Sequence, residues 1–123
     1  MRRLAAAALV LFVAGCVTEP EPGSPPPRAK PDMVEASRMN TDLGIDYMRR
    51  GETDMAIEKL SRALQQNPAN AQAHAAYAII LGRRGDTSNA DAEFRHALTL
   101  ADDPGTRNNY GVFLCGQKRY ADA

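Results

Sequence analysis

The 123-residue sequence has no tryptophan, only 6% aromatic residues, two cysteines, two histidines and no net charge, with 15 basic side chains against 15 acidic. Each scarcity excludes something. Proteins that find nucleic acid electrostatically carry a basic excess to neutralise phosphates, so the zero balance argues against a nucleic-acid partner. Cys16 and Cys115, with His74 and His96, make no C-x-x-C or H-E-x-x-H spacing, which speaks against a metal centre. Strand-like alternation is absent as well. The Ser and Cys nucleophiles have no base and orienting carboxylate near them in sequence, so neither an enzyme, a cofactor nor a small-molecule substrate is implied. A chain this short supports one domain at most.

What is present is unevenly distributed. Met1-Arg2-Arg3 is a positive start, and Leu4 to Val13 is an unbroken run of ten apolar residues. As a helix such a run rises about 15 Å, half of the roughly 30 Å hydrocarbon core, so it does not span a bilayer. Residues 1–15 read as an export signal. The small pair Ala14-Gly15 followed by Cys16 resembles a bacterial lipobox, in which the cysteine thiol is diacylated, the chain is cut before it and the new amino group is acylated. The thiolate attacks a lipid donor at the membrane surface, and the small residues admit the peptidase. An ordinary cleavage site that happens to precede a cysteine is the alternative. Several palmitate-type chains on one residue anchor a protein durably, at about 0.8 kcal/mol per buried CH₂. Val17 stands where an Asp typically retains a lipoprotein in the inner membrane. The expected location is therefore the periplasmic face of the outer membrane. Loss of Arg2 and Arg3 with the signal leaves two more acidic than basic side chains.

The next stretch, within residues 16–33, holds six of the eight prolines between Val17 and Pro31. Proline fixes φ and lacks an N–H, so this stretch predicts an extended, polyproline-like tether reaching up to roughly 45 Å from the bilayer.

Residues 34–123 repeat. Leu43-Gly44-x-x-Tyr47, Tyr77-Ala78-x-x-Leu81 and Tyr110-Gly111-x-x-Leu114 recur at offsets of 34 and 33, and so do Ala56 with Leu60, Ala90 with Phe94, and Ala123. Gly51 and Gly85 punctuate the first two units and Pro68 closes the first. This is the tetratricopeptide pattern, in which a small residue of one helix lets the next cross closely while large partners fill the groove between. It predicts an all-α solenoid of antiparallel helix pairs, about two and a half repeats over 37–70, 71–103 and an incomplete 104–123. The helices are expected near 34–50, 53–66, 71–84, 88–101 and 105–117. Asn40, His74 and Arg107 replace the bulky residue that usually opens each repeat, and Asp102 replaces the second closing proline.

The stretch Asn108-Asn109-Tyr110-Gly111-Val112-Phe113-Leu114-Cys115-Gly116 resembles the third-repeat signature of the type IV pilus biogenesis/stability lipoproteins, the pilotins of PilF/PilW type. The lipobox, the short tether and a first repeat near residue 37 follow in that family's order. The resemblance implies a lipidated, all-α stack that escorts the pilus secretin to the outer membrane and promotes its multimerisation. Family members resemble stacks of about six repeats, and this sequence stops within the third, which suggests a partial gene product. Two other roles stay open: a cell-envelope repeat lipoprotein regulating a peptidoglycan enzyme, and a partial copy without activity.

The inner face of such a stack is lined by the first helix of each pair. Its candidate partner-binding residues are Ile45, Met48 and Arg49 in the first repeat, with Arg38 and Thr41 beside them, and Ile79 and Arg83 in the second, with Gln72, Ala75 and Gly82. Asn108, Val112 and Cys115 follow in the third. Apolar centres flanked by arginines suit a peptide that inserts side chains and presents carboxylates or carbonyls to the guanidinium groups. Packing between neighbouring helices is the competing explanation for Ile45, Met48 and Ile79. Glu35, Asp42 and Asp46 read as a solvated, charge-balanced face. His74 and His96 read as structural, and Cys115 as a buried, inert thiol. Tyr110, Phe113 and Leu114, with no second helix completed over them, are expected to lie exposed and to let the last helix fray.

Overall fold

The computed structural model describes residues 30–117; the signal, Cys16, most of the tether and Ala123 lie outside the described residues. These residues form five helices and no strand: α1 (Pro31–Arg49), α2 (Thr53–Gln66), α3 (Ala71–Arg83), α4 (Thr87–Leu100) and α5 (Pro104–Gly116). The spacing-based boundaries agree to within one residue except at the first. Helix α1 starts at Pro31, three residues before its expected start and inside the stretch read as tether. Proline at the first helical position gives up an N–H that has no partner there anyway.

None of these helices is long and apolar enough to cross a membrane. They pack in antiparallel pairs, α1 with α2 and α3 with α4, and α3 lies against α1, α2 and α5. The turn inside each pair is the same. Gly51 and Gly85 adopt φ of 78° and 84°, a left-handed conformation that glycine reaches without a Cβ penalty. The amides of Glu52 and Asp86 donate to the carbonyls of Tyr47 and Leu81, and those of Gly51 and Gly85 to Met48 and Gly82, which closes each helix end in a Schellman turn.

The core follows the repeat. Ala56, Leu60 and Ala63 of α2 and Ala73, Ala76 and Ile80 of α3 are buried together, with Ile45, Tyr47 and Met48 of α1 packed on them. Gly44 shows why this position must be small: a Cβ there would stand 2.7 Å from Leu60 Cγ and 3.3 Å from the Ala56 carbonyl oxygen. Ala78 and Ala90 are buried in the second pair.

Helix α5 does not stand bare. Phe94 of α4 stacks on Tyr110 at 5.2 Å between centroids and meets Phe113 at 5.5 Å. Leu114 is buried at 1% exposure, and Tyr110 and Phe113 are half-buried. The expectation that all three lie exposed is corrected: α3 and α4 supply cover, through Gly82 and Phe94. Tyr110 also donates its hydroxyl to Asp91 Oδ1 at 2.7 Å.

Candidate functional site

Helices α1, α3 and α5 line one concave face. Between them opens a cavity of about 530 Å³, walled by Ile45, Met48 and Arg49 of α1, by Gln72, Ala75 and Ile79 of α3, and by Asp103, Thr106 and Asn109 at the start of α5. A second cavity of about 360 Å³ shares Ile79 and Asn109 with the first and adds Arg83, Val112 and Phe113. Six of the seven candidate partner-binding residues therefore meet on one groove.

Asn108 does not join them. The register that puts Thr41 of α1 toward α3, and Ala75 of α3 toward α5, puts Asn108 on the far flank of α5, where no described helix follows. One residue further round the helix, Asn109 faces the groove in both cavities. Cys115 shares the far flank and is exposed, so its expected burial is corrected.

Other groove positions read from the sequence turn out to be structural. Thr41 is fully buried; its hydroxyl donates to the Ser37 carbonyl at 2.8 Å and accepts from Asn70 Nδ2 at 3.0 Å. Arg38 serves the solvated face, with its guanidinium donating to Glu35 at 2.6 Å and to Asp42 at 3.3 Å. The hydrogen bond from Arg38 holds the Glu35 carboxyl below its ordinary range; desolvation opposes this and the Arg38 charge adds to it. Arg49 pairs with Asp46 at 3.4 Å across an exposed flank and remains at the rim of the cavity.

The competing explanation for the apolar residues holds in part. Ile45 and Met48 pack on the core through one side while lining the cavity with the other. Both histidines are structural, although the reason lies beyond local sequence. His74 Nδ1 sits 2.5 Å from Glu93 Oε2, a carboxylate 19 residues away on α4, and Nε2 sits 2.9 Å from the Pro68 carbonyl oxygen. His96 meets the His74 ring edge-on at 4.5 Å.

An apolar-floored groove with arginines at its rim has the chemistry of a binding surface. Paired helices crossing at small residues, with such a groove on the inner face, define a helical scaffold of the tetratricopeptide-repeat class. The comparisons agree. No protein-family model matches the chain. It is nonetheless a homologue of the type IV pilus assembly protein PilF of Pseudomonas aeruginosa, to which it is 39% identical over 123 aligned residues, 95% of its own length. An uncharacterised protein of Haemophilus influenzae is 30% identical over 89 residues, 72% of the chain. A solved structure from the functional characterisation of Pseudomonas aeruginosa PilF superposes with a TM-score of 0.70 and 38% identity, covering 73% of this chain and 41% of that one. The chain spans about half the length of these two curated relatives, 48% and 50%.

Proposed function

We propose that this chain acts in type IV pilus biogenesis as a membrane-tethered scaffold that engages the pilus secretin subunit and promotes its localisation and multimerisation in the outer membrane. The observation that carries the reading is the homology to a type IV pilus assembly protein along nearly the whole chain. The groove supports it, because its apolar centre at Ile45, Met48 and Ile79 and the rim charges Arg49 and Arg83 suit a protein segment carrying large apolar and acidic side chains. Diacylation of Cys16, followed by the proline-rich tether, would hold this groove on the periplasmic face within reach of secretin subunits at the membrane.

Expression of the chain in a cell deleted for its own pilus assembly homologue tests the proposal. Restored secretin multimers in outer-membrane fractions are expected. Secretin that remains monomeric, with the chain present and folded in the same fractions, would contradict it.

A further inference from the structure

The α1–α3 and α3–α5 junctions occupy the same register and differ in what they place there. Ala71 and Ala75 of α3 stand where α1 has Ser37 and Thr41, and Asp103, the N-cap of α5, stands where α3 has Asn70. At the first junction the Asn70 side chain accepts from the Ala73 amide at 3.0 Å and donates to Ser37 Oγ at 2.8 Å and Thr41 Oγ1 at 3.0 Å. Ser37 in turn donates to the Ala63 carbonyl at 2.8 Å. Ser37 and Thr41 are fully buried. A closed set of directional bonds in a dry site leaves α1 one position against α3, since any sliding strands a buried polar group.

Among the described residues, the second junction has no such set. The Asp103 carboxylate has no N–H to donate; Oδ2 accepts from the Thr106 amide at 2.7 Å and from its hydroxyl at 3.0 Å. Facing it are the methyl groups of Ala71 and Ala75, and between them lies the 530 Å³ cavity. Among the described residues, the contacts that fix α5 are concentrated further along the helix. Tyr110 stacks on Phe94 and Phe113 meets it at a tilt, Tyr110 bonds to Asp91, and Phe113 lies where a Cβ at Gly82 would come within 3.1 Å of its ring.

We infer that α5 is the adjustable wall of the groove. It pivots about the Phe94–Tyr110–Phe113 cluster and varies the width of the cavity against Ala71 and Ala75, whereas the Ser37–Thr41–Asn70 set fixes α1 to α3. The inference deepens the groove reading, since the wall would adapt to the size of an inserted partner side chain. The motion itself belongs to the chain alone and is measured without any partner.

Pulsed electron paramagnetic resonance on the full chain carrying Cys16→Ser and Cys115→Ser tests it, with spin labels on cysteines substituted at exposed sites. The pair Met39→Cys and Asn108→Cys reports α5, and the pair Met39→Cys and Arg84→Cys reports α1 against α3 as the reference, Met39 being an exposed residue of α1. The α5 distances should spread about twice as widely as the reference distances, as expected for hinge motion. Building the missing bonds with Ala71→Ser, Ala75→Thr and Asp103→Asn should remove that excess. Equal widths in the unmodified junction, or a width unchanged in the folded triple variant, would overturn the inference. If the triple variant loses helicity by circular dichroism, the reverse change decides. Ser37→Ala with Thr41→Ala and Asn70→Asp should broaden the reference distances, and unchanged reference distances would overturn the inference equally.

Discussion

Two glycines illustrate how differently the same residue type can be required. At Gly44 the need is steric: Leu60 and the Ala56 carbonyl already occupy the space of a Cβ, and Leu60 is fully buried and has nowhere to go. Gly44→Ala should therefore destabilise by about 1–3 kcal/mol, the range for overpacking a dense core. At Gly85 the surroundings are open and the need is conformational, with φ at 84°. Gly85→Ala should cost about 1–2 kcal/mol through left-handed strain alone. Urea unfolding of the two variants checks both values, and Gly44→Ser should worsen the first defect and leave the second kind unaffected.

At the same scale, sequence legibility depends on whether a residue's reason is local. The small positions 44, 56, 78 and 90 are readable because a close helix crossing leaves a periodic mark. The pairing of His74 with Glu93 is not, because a turn and part of another helix separate them in sequence. Glu35 shows how weak a local, exposed pair is. Arg38 lowers its pKa in the folded state, so the stabilisation is present above the ordinary value of 4.5 and is lost as pH falls through the depressed folded value. The exposure of both side chains makes this contribution sensitive to salt. Glu35→Gln should flatten that part of the acid unfolding profile at low salt and change nothing at high salt.

Among the helices, α5 departs furthest from its sequence-based description. The sequence alone gives no measure of how much Phe94 covers it. An aromatic pair within about 4.5–7 Å contributes beyond its buried area, and the Tyr110 hydroxyl answers a carboxylate that is only 7% exposed. Removing that hydroxyl with Tyr110→Phe should weaken the docking of α5 by about 1–3 kcal/mol. Amide hydrogen exchange should then lose protection across residues 104–116 and retain it across 54–64 in α2. Equal loss in both segments would mean that α5 opens only with the whole stack. The start of α1 has a simpler explanation: a proline-rich stretch predicts an end to helix, yet its last proline is well suited to begin one.

At the scale of the whole molecule, the proposed reading joins an export signal, an acylated cysteine and a spacer to the grooved scaffold. The first three lie in residues where sequence is informative by itself, since charge, an apolar run and small residues before Cys16 each act locally. We expect Cys16 to take up alkyne-labelled palmitate and Cys16→Ser to abolish the label and release the chain from membranes. Undiminished label on Cys16→Ser would place the anchor elsewhere. The groove was legible as a list of positions, and six of seven converge because the repeat register fixes which flank each faces. Its depth was not legible, because it depends on alanines at 71 and 75 whose importance appears only beside Ser37 and Thr41.

Affinity measured directly between the chain and the purified secretin subunit tests the proposal that this concave face is the binding surface. Ile45→Asp with Ile79→Asp introduces unpaired charge on the apolar floor and should weaken binding by at least about tenfold at unchanged helicity. Arg49→Glu, at the exposed rim, should weaken it less and in a salt-dependent way. Affinity that survives the double substitution in a folded chain would contradict the claim and move the binding surface off this groove.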